Sequence, residues 1–172
     1  MQMVKRIVGG FFLSLLLLWL FAPKVELYYF LEKFLKEKHI VISNETVIDT
    51  WYGLKIKNGE LSVDGAKIAT INEVTFNFFF FYNTLKVDAI KMDKSLSNMA
   101  PKEISQLSAL YSVLKPLQIT LSGEGSFGTM EGQVALLDRK VEILLPVPKE
   151  IKTIKKFLKK DKEKGWFYET NY

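Results

Sequence analysis

Residues 53–78, GLKIKNGELSVDGAKIATINEVTFNF, alternate apolar and polar side chains over most of their length. Leu54 and Ile56, for example, alternate with lysines, and a period of two is typical of a half-buried β-strand. Asn-Gly at 58–59 and Asp-Gly at 64–65 are both two-residue hairpin signals. The stretch therefore predicts two tight reversals within an antiparallel meander of four or five strands.

The next residues, 78–82 (FFFFY), put aromatic side chains on both faces of a strand. One interpretation is a central strand covered on both sides, by the core of the sheet and by a helix. The other is the wall of an apolar or lipid-binding groove, or a surface on which a partner docks. The predicted groove or docking surface consists of Leu54, Ile56, Phe76, Phe78, Phe80, Phe81, Leu85 and Val87.

Upstream, residues 7–22 (IVGGFFLSLLLLWLFA) form an uncharged apolar run of sixteen residues. As a helix, this run spans about 24 Å, slightly less than a hydrocarbon core of about 30 Å. A signal peptide needs small residues at the −3 and −1 positions of its cleavage site. A cut after Ala22 would put Leu20 at −3 and Pro23 directly behind the cut. We therefore interpret residues 1–23 as a short tail and a retained transmembrane anchor.

Charge predicts the orientation of the anchor. Lys5 and Arg6 precede the run, whereas Lys24 and Glu26 nearly cancel each other after it. The positive-inside rule then places the amino terminus in the cytoplasm and the main domain across the membrane. For a bacterium, this predicts a single-pass inner-membrane protein with a periplasmic domain.

Residues 24–39 connect the anchor to the sheet and are predicted to form an amphipathic helix. Their apolar side chains follow helical spacing: Leu27, Phe30, Leu31, Phe34 and Leu35. The helix either covers the core of the domain or lies on the membrane surface, where tyrosines such as Tyr28 and Tyr29 are enriched.

The sheet domain is predicted over residues 40–148, with a second helix at 101–115. Pro101 and Pro116 bound that helix, and the apolar residues between them recur at helical spacing. Alternation and frequent glycines at 117–145 indicate return strands. The spacing of these glycines does not match a phosphate-binding loop.

Residues 149–172 are predicted to form a lysine-rich helix and an aromatic tail. Residues 149–164 hold eight lysines and three acidic residues, so they account for the net charge of +5 of the whole chain. The remainder is close to neutral, which argues against a nucleic-acid-binding protein. The helix either lies on an anionic membrane or is a solvated surface helix. The predicted membrane-surface residues are Lys152, Lys155, Lys156, Lys159 and Lys160.

The chain offers few groups for catalysis or metal binding. It has no cysteine, and His39 is its one histidine, so neither a thiolate site nor a second imidazole ligand for zinc is possible. Its serines lack the G-x-S-x-G nucleophile elbow. Acidic residues such as Glu60 and Asp88 fall on the polar side of the alternating strands. We therefore expect no enzyme activity, no cofactor and no metal ion.

Residues 50–78 begin with Thr50 and the sequence Trp51-Tyr52-Gly53, and alternating apolar strands follow. The whole segment lies downstream of one predicted amino-terminal anchor. This layout resembles type II secretion system protein N and the wider AsmA-like group. That family usually begins the region with Gly-Thr-Leu-Trp-x-Gly, of which this chain keeps Trp51 and Gly53. The resemblance implies an inner-membrane anchor and a curved antiparallel sheet with an apolar inner face. The chain is shorter than the usual secretion protein, and its lysine-rich segment has no counterpart there.

The expected fold class is α+β, with one transmembrane helix, a mainly antiparallel curved sheet and two or three covering or flanking helices. The expected function is a non-enzymatic, accessory or structural part of a type II secretion or pilus-like envelope machine, with other envelope or secretion proteins as partners. The alternative is an AsmA-like lipid-binding or lipid-transfer protein that uses an apolar groove on its sheet. Helices that cover the apolar face would favour the first function, and an open face the second.

Overall fold

Two helices precede a single antiparallel sheet of eleven strands in the computed structural model, which describes residues 2–79, 81–96 and 99–172. The helices are α1 (Gln2–Leu20) and α2 (Lys24–Glu37). The strands are β1 (Ile40–Ser43), β2 (Thr46–Thr50), β3 (Gly53–Val63), β4 (Ala66–Phe78), β5 (Tyr82–Met92), β6 (Glu103–Ser112), β7 (Gln118–Gly125), β8 (Gly128–Ala135), β9 (Lys140–Pro148), β10 (Lys159–Asp161) and β11 (Gly165–Asn171). Short 3-10 turns lie at Lys94–Leu96 and Lys155–Phe157.

Neighbouring strands in the sheet are mostly neighbours in the chain. From β3 to β9, every strand pairs antiparallel with the next one. At one edge, β1 and β2 both pair with β3, and at the other edge β11 pairs with β9 and carries β10. The pairing path therefore describes an open sheet and not a closed barrel. The predicted α+β class and antiparallel sheet are confirmed.

The predicted reversal at Asn58-Gly59 is wrong, because β3 continues through both residues. Asn58 has a left-handed φ of 58°, yet Gly59 still pairs with Ile71 of β4. The chain reverses at Asp64-Gly65, where both residues have positive φ, 50° and 77°. A two-residue turn of type I′ needs two such residues in succession, whereas a single one is accommodated within the strand.

The helix predicted at 101–115 is also wrong, because this segment contains β6. Leu107, Ala109 and Tyr111 share one face of the strand, a spacing that the sequence pattern did not separate from a helical one. Strands β5 and β7 satisfy the backbone of β6 on both sides, and this pairing overrides the local helical pattern. Pro116 lies in the β6–β7 turn instead of ending a helix.

The lysine-rich helix predicted at 149–164 is wrong as well. The segment forms turns, one 3-10 turn and the short strand β10. Ile154 and Leu158 lie against the sheet, and Asp161 Oδ1 accepts the backbone N–H of Lys164 at 3.1 Å in the turn before β11. Of the predicted covering helices, only α2 is a helix in the described part of the chain.

The sheet has one apolar face and one polar face, because side chains alternate along each strand and paired residues point to the same side. One apolar row crosses eight strands through Leu54, Phe76, Leu85, Ala109, Leu121, Gly132, Ile143 and Tyr168. A neighbouring row on the polar face contains Lys55, Thr75, Lys86, Ser108, Ser122 and Glu131.

The accessible surface is large for the mass of the chain. It measures 12096 Å², whereas a compact protein of 19.8 kDa has about 8,600 Å². The exposed helix α1 and a sheet that lacks a full second layer both contribute to this excess. The apolar face is therefore covered only in parts.

Helix α2 covers one end of the apolar face. Tyr28 packs with Leu54 and Ile56 of β3, and these three side chains form a buried cluster. The ammonium group of Lys24 is also buried and lies 3.4 Å from Asp49 Oδ1 of β2. The covering role that the sequence predicted for this helix as one alternative is the one observed.

The outward side of α2 carries an apolar stripe, which we define as Leu27, Phe30, Leu31 and Phe34. All four are exposed, Phe30 by 73 %. The core-covering alternative would place this face of the helix, with Leu35, against the sheet, and that placement is wrong for the four exposed residues. The side that meets the sheet lies about 100° around the helix. There, Tyr28 fits the apolar cluster while its hydroxyl reaches Glu45.

The Tyr28→Phe variant is expected to lose about 1 kcal/mol of the free energy of unfolding. The Tyr28 hydroxyl donates to Glu45 Oε1 at 3.2 Å, and burial together with this carboxylate raises the tyrosine pKa. Because the pKa of Tyr28 is raised in the folded state, its hydroxyl contributes fully to the free energy of unfolding below about pH 10, and this contribution declines at higher pH. Denaturant titration measures the loss, and Tyr29→Phe, at an exposed neighbour, should change stability by less than about 0.5 kcal/mol. Equal losses in both variants would contradict the assignment.

Candidate functional site

Between its covered ends, the apolar face carries a strip of partly exposed side chains. We define this apolar strip as Phe78, Leu85, Val87, Leu107, Ala109, Tyr111, Ile119, Leu121, Val134, Val141 and Ile143. It crosses β4 to β9, a width of about 24 Å at about 4.8 Å between strands. All of these side chains keep part of their surface accessible.

Small residues lie at the centre of the strip. Ala109 is flanked in register by Leu85 of β5 and Leu121 of β7. Gly123 of β7 lies close by, and a methyl group there would come within 2.6 Å of Leu107 Cδ2. The side chains at the middle of the strip are therefore smaller than those on its flanks, and Leu107 lies close to the backbone of Gly123.

At the far end of β9, the strip continues into an apolar cavity of about 330 Å³. Its lining residues are Pro101, Phe127, Met130, Ile143, Leu145, Ile154, Phe157, Leu158 and Tyr168. Ile143 belongs to both the strip and the cavity wall, so the two are continuous. The volume falls within the range of small-molecule sites, about 300–1,000 Å³. The segment after β9 forms the roof of this cavity through Ile154, Phe157 and Leu158.

The other end of the strip meets α1 at an aromatic junction. The Trp19 Nε1–H donates to the carbonyl oxygen of Phe78 at 2.9 Å. The Trp19 ring lies 6.2 Å from the rings of both Trp51 and Phe79, measured between centroids. Phe79 also stacks on Tyr52 at 5.6 Å. The last turn of α1 thus contacts the sheet domain at the β2–β3 and β4–β5 turns.

Helix α1 itself is otherwise exposed and apolar. Its 19 residues make it long and hydrophobic enough to cross a membrane, and an anchor or a signal sequence near the amino terminus both meet this criterion. The predicted amino-terminal apolar helix is confirmed, and its role as a retained anchor stays a prediction.

The described residues of the predicted groove divide into four groups. Leu54 and Ile56 are buried under α2, whereas Phe78, Leu85 and Val87 belong to the open strip. Phe76 packs at the border between them. Phe81 lies in the β4–β5 turn, and Phe80 lies outside the described residues.

The predicted membrane-surface lysines gather at the end of the strands opposite to Trp19. Lys155 and Lys160 place their ammonium groups 5.5 and 5.6 Å from the Trp166 ring centroid, close enough for cation–π contacts. Lys152, Lys156 and Lys159 are exposed.

The polar face carries paired charges. Lys55 and Lys164 form ion pairs with Glu73 at 3.1 Å and with Glu142 at 2.7 Å, respectively. These hydrogen-bonded ammonium groups lower the pKa of both carboxyl groups. Among the described residues, no group of three or more histidine and carboxylate side chains is arranged to hold a metal ion.

Sequence reasoning missed the part of the strip that lies on β6 and β7, above all Leu107, Ala109 and Leu121. The signal was present, because Leu107, Ala109 and Tyr111 alternate with Ser108. The competing helical spacing and the two flanking prolines obscured it. Comparisons with protein-family models, with curated proteins and with solved structures found no match to this chain.

Proposed function

We propose that this chain is a membrane-anchored, non-enzymatic protein that binds a lipid acyl chain on the apolar strip and in the adjoining cavity. The observation that carries the proposal is the continuity of the two features through Ile143. An apolar surface that runs into a cavity of this kind fits an elongated apolar ligand. The helix predicted to close this surface is instead β6, a strand of the strip itself.

The proposal treats α1 as a retained anchor. The contacts of Trp19 with Trp51 and Phe79 support this, because cleavage after Ala22 would remove part of the aromatic junction. With Lys5 and Arg6 on the cytoplasmic flank, the sheet domain lies across the membrane, which in a bacterium is the periplasmic side of the inner membrane.

The energy available to such binding is substantial. Each methylene group removed from water contributes about 0.8 kcal/mol, so about ten of them give roughly 8 kcal/mol. This corresponds to micromolar affinity before the ordering of the chain is subtracted. This figure refers to transfer from water, so it is an upper bound for a chain that comes from a bilayer or a micelle. Retention in detergent then depends on the packing of the chain in the cavity.

Native mass spectrometry of the detergent-extracted, full-length protein tests the proposal. We expect a mass shift of one lipid per chain that survives delipidating washes, and chloroform–methanol extraction should release that lipid. A preparation that carries the anchor but only substoichiometric, readily washed lipid would contradict lipid binding.

The apolar stripe of α2 favours a second candidate function, an accessory role in a type II secretion or pilus-like envelope machine. Its i, i+3, i+4, i+7 spacing fits a helix–helix seam, and the stripe begins soon after the anchor. The partner would be an apolar helix of another membrane protein.

Site-specific crosslinking from Phe30 should capture one defined partner, and Tyr29 provides the control position on the same helix. A crosslinked protein that appears equally from both positions would argue against this role.

A further inference from the structure

Alternate turns of an antiparallel meander lie at the same end of the sheet. The β2–β3, β4–β5, β6–β7 and β8–β9 turns share one end, together with the carboxy-terminal residue Tyr172. Backbone hydrogen bonds join neighbouring members of this set at 2.9, 2.9 and 3.0 Å: Val113 N–H to Phe81 O, Leu136 N–H to Leu117 O, and Tyr172 N–H to Arg139 O. The turns therefore form one continuous edge.

This edge is apolar and exposed. Large apolar side chains are exposed along it, and we define the rim as Trp51, Phe81, Leu114, Leu117, Leu137 and Tyr172. Lys115, Asp138 and Arg139 of the same turns are also exposed. Leu114 is 91 % exposed, Phe81 75 % and Leu137 73 %. Turns in water normally consist of Gly, Pro, Asn, Asp and Ser, because those residues suit the turn backbone and hydrate well. A row of large apolar side chains at the turns is expected where the protein contacts a membrane or another apolar surface.

The turns at the opposite end provide an internal comparison. The β3–β4 turn is Asp64-Gly65, and the β10–β11 turn is Lys162-Glu163-Lys164. Both are polar. These two turns therefore differ from the turns of the rim in the way that a water-facing surface differs from a membrane-facing one. The longer β5–β6 and β9–β10 connections at the same end expose Met99 and Phe157.

Helix α1 meets the sheet at the rim end. Trp19 contacts Trp51 and Phe79 there, and only three residues separate α1 from α2. Tryptophan and tyrosine are enriched at the membrane–water interface, and the aromatic junction lies where α1 would leave the hydrocarbon core. Lys115 directly follows Leu114, and Arg139 follows Leu137 after the intervening Asp138. Both cations can reach lipid phosphates while the apolar side chains of the rim are immersed.

We propose that the rim lies in the interface of the membrane that α1 spans, with Phe81, Leu114 and Leu137 immersed at the boundary between head groups and acyl chains. The membrane is the occupant because the anchor that enters it is packed against this same edge. Since Tyr111 and Ile119 of the apolar strip lie next to the β6–β7 turn, the strip then opens directly onto the bilayer. This last step rests on the proposed lipid binding, whereas the position of the rim rests on the proposed anchor alone.

The absence of cysteine makes a direct test possible. Single variants Leu114→Cys and Leu137→Cys, labelled with nitrobenzoxadiazole, report on the rim, and Asp64→Cys and Glu163→Cys report on the opposite end. The full-length protein is reconstituted in vesicles of phosphatidylethanolamine and phosphatidylglycerol. We expect blue-shifted emission at 114 and 137 and quenching that is strongest with lipids labelled about 5–10 Å below the head groups. The labels at 64 and 163 should emit as in water.

Equal, water-like emission at all four positions would overturn the proposal, and so would a blue shift at 163 with none at 114, which would put the lysine-rich end on the bilayer. Circular dichroism of each labelled variant checks the fold, and the exposed positions keep that risk small. The test is independent of lipid binding. If the rim is immersed but the protein carries no lipid, the proposed lipid binding is rejected and the position of the rim stands. If the protein carries lipid but the rim is exposed to water, the proposed position of the rim is rejected and lipid binding stands.

Discussion

The Ala109→Trp variant is expected to lose its bound lipid at least about tenfold while it keeps its fold. Ala109 lies at the centre of the apolar strip between Leu85 and Leu121. An indole at this position would occupy the space that an acyl chain needs. A tenfold loss corresponds to about 1.4 kcal/mol, less than the contribution of two methylene groups at about 0.8 kcal/mol each. Because the alanine side chain is partly exposed, the larger ring can be accommodated without a rearranged core.

Ser108→Trp is the matched control. Ser108 is the neighbouring residue on β6 but points to the polar face, where it pairs with Lys86 and Ser122. The same ring at this position has the same cost in strand propensity and leaves the apolar strip unchanged. Quantified lipid from native mass spectra should drop in Ala109→Trp and remain at the wild-type level in Ser108→Trp. Equal lipid content in the two variants would place the binding site elsewhere.

Strands could be predicted where the alternation had no competitor. Leu54 and Ile56 alternate with lysines, although the turn signal at Asn58-Gly59 in the same strand was misleading. In residues 117–145 the period of two, the turn residues and the observed strand pairing agree. The apolar run of α1 was equally clear because it depends on composition alone.

The strand in the middle of the sheet could not be predicted, because the spacing of its apolar residues fits both a helix and a strand. The apolar residues of 101–115 recur at helical spacing, while Leu107, Ala109 and Tyr111 also alternate. Pairing with β5 and β7 decides in favour of the strand. The sequence of residues 101–115 alone does not reveal these two partners. The same is true of 149–164, where Ile154 and Leu158 leave the helical pattern to close a cavity.

The candidate site was therefore only half predictable. The sequence identified Leu85 and Val87 because they belong to a clear hairpin. It could not separate buried residues such as Leu54 from open ones such as Phe78, because the position of α2 decides that difference. On α2 itself, the apolar stripe did not identify the packing face, since Tyr28, beside the stripe, makes the contact with the sheet.

The Gly128→Ala variant is expected to destabilise the protein by at least about 3 kcal/mol. Gly128 is buried at the start of β8 with φ at 103°, a conformation that side chains rarely adopt. A methyl group there would overlap the carbonyl oxygen of Val147 and lie 3.0 Å from the backbone nitrogen of Lys149. Both the strained backbone and the displacement of β9 oppose the substitution. The expected effect is a decrease of about 6–12 °C in Tm.

Gly65→Ala separates these two causes. Gly65 also has a positive φ, 77°, but nothing lies within 4 Å of the added methyl group. This variant keeps the backbone strain and lacks the collision, so we expect a loss of about 1 kcal/mol, or about 2–4 °C in Tm. Thermal denaturation of the full-length protein, followed by circular dichroism, measures both variants under the same conditions.

Gly128 lies beside the apolar cavity, so its substitution also affects the proposed lipid-binding site. The residue before it, Phe127, is buried in the cavity wall, and its carbonyl accepts the N–H of Lys149 at 2.8 Å. Displacing β9 would therefore move the start of the segment that roofs the cavity. Gly128→Ala should release lipid at temperatures below its own Tm, whereas Gly65→Ala should retain lipid until it unfolds. If both variants release lipid only on unfolding, the roof does not hold the acyl chain, and binding depends on the open strip alone.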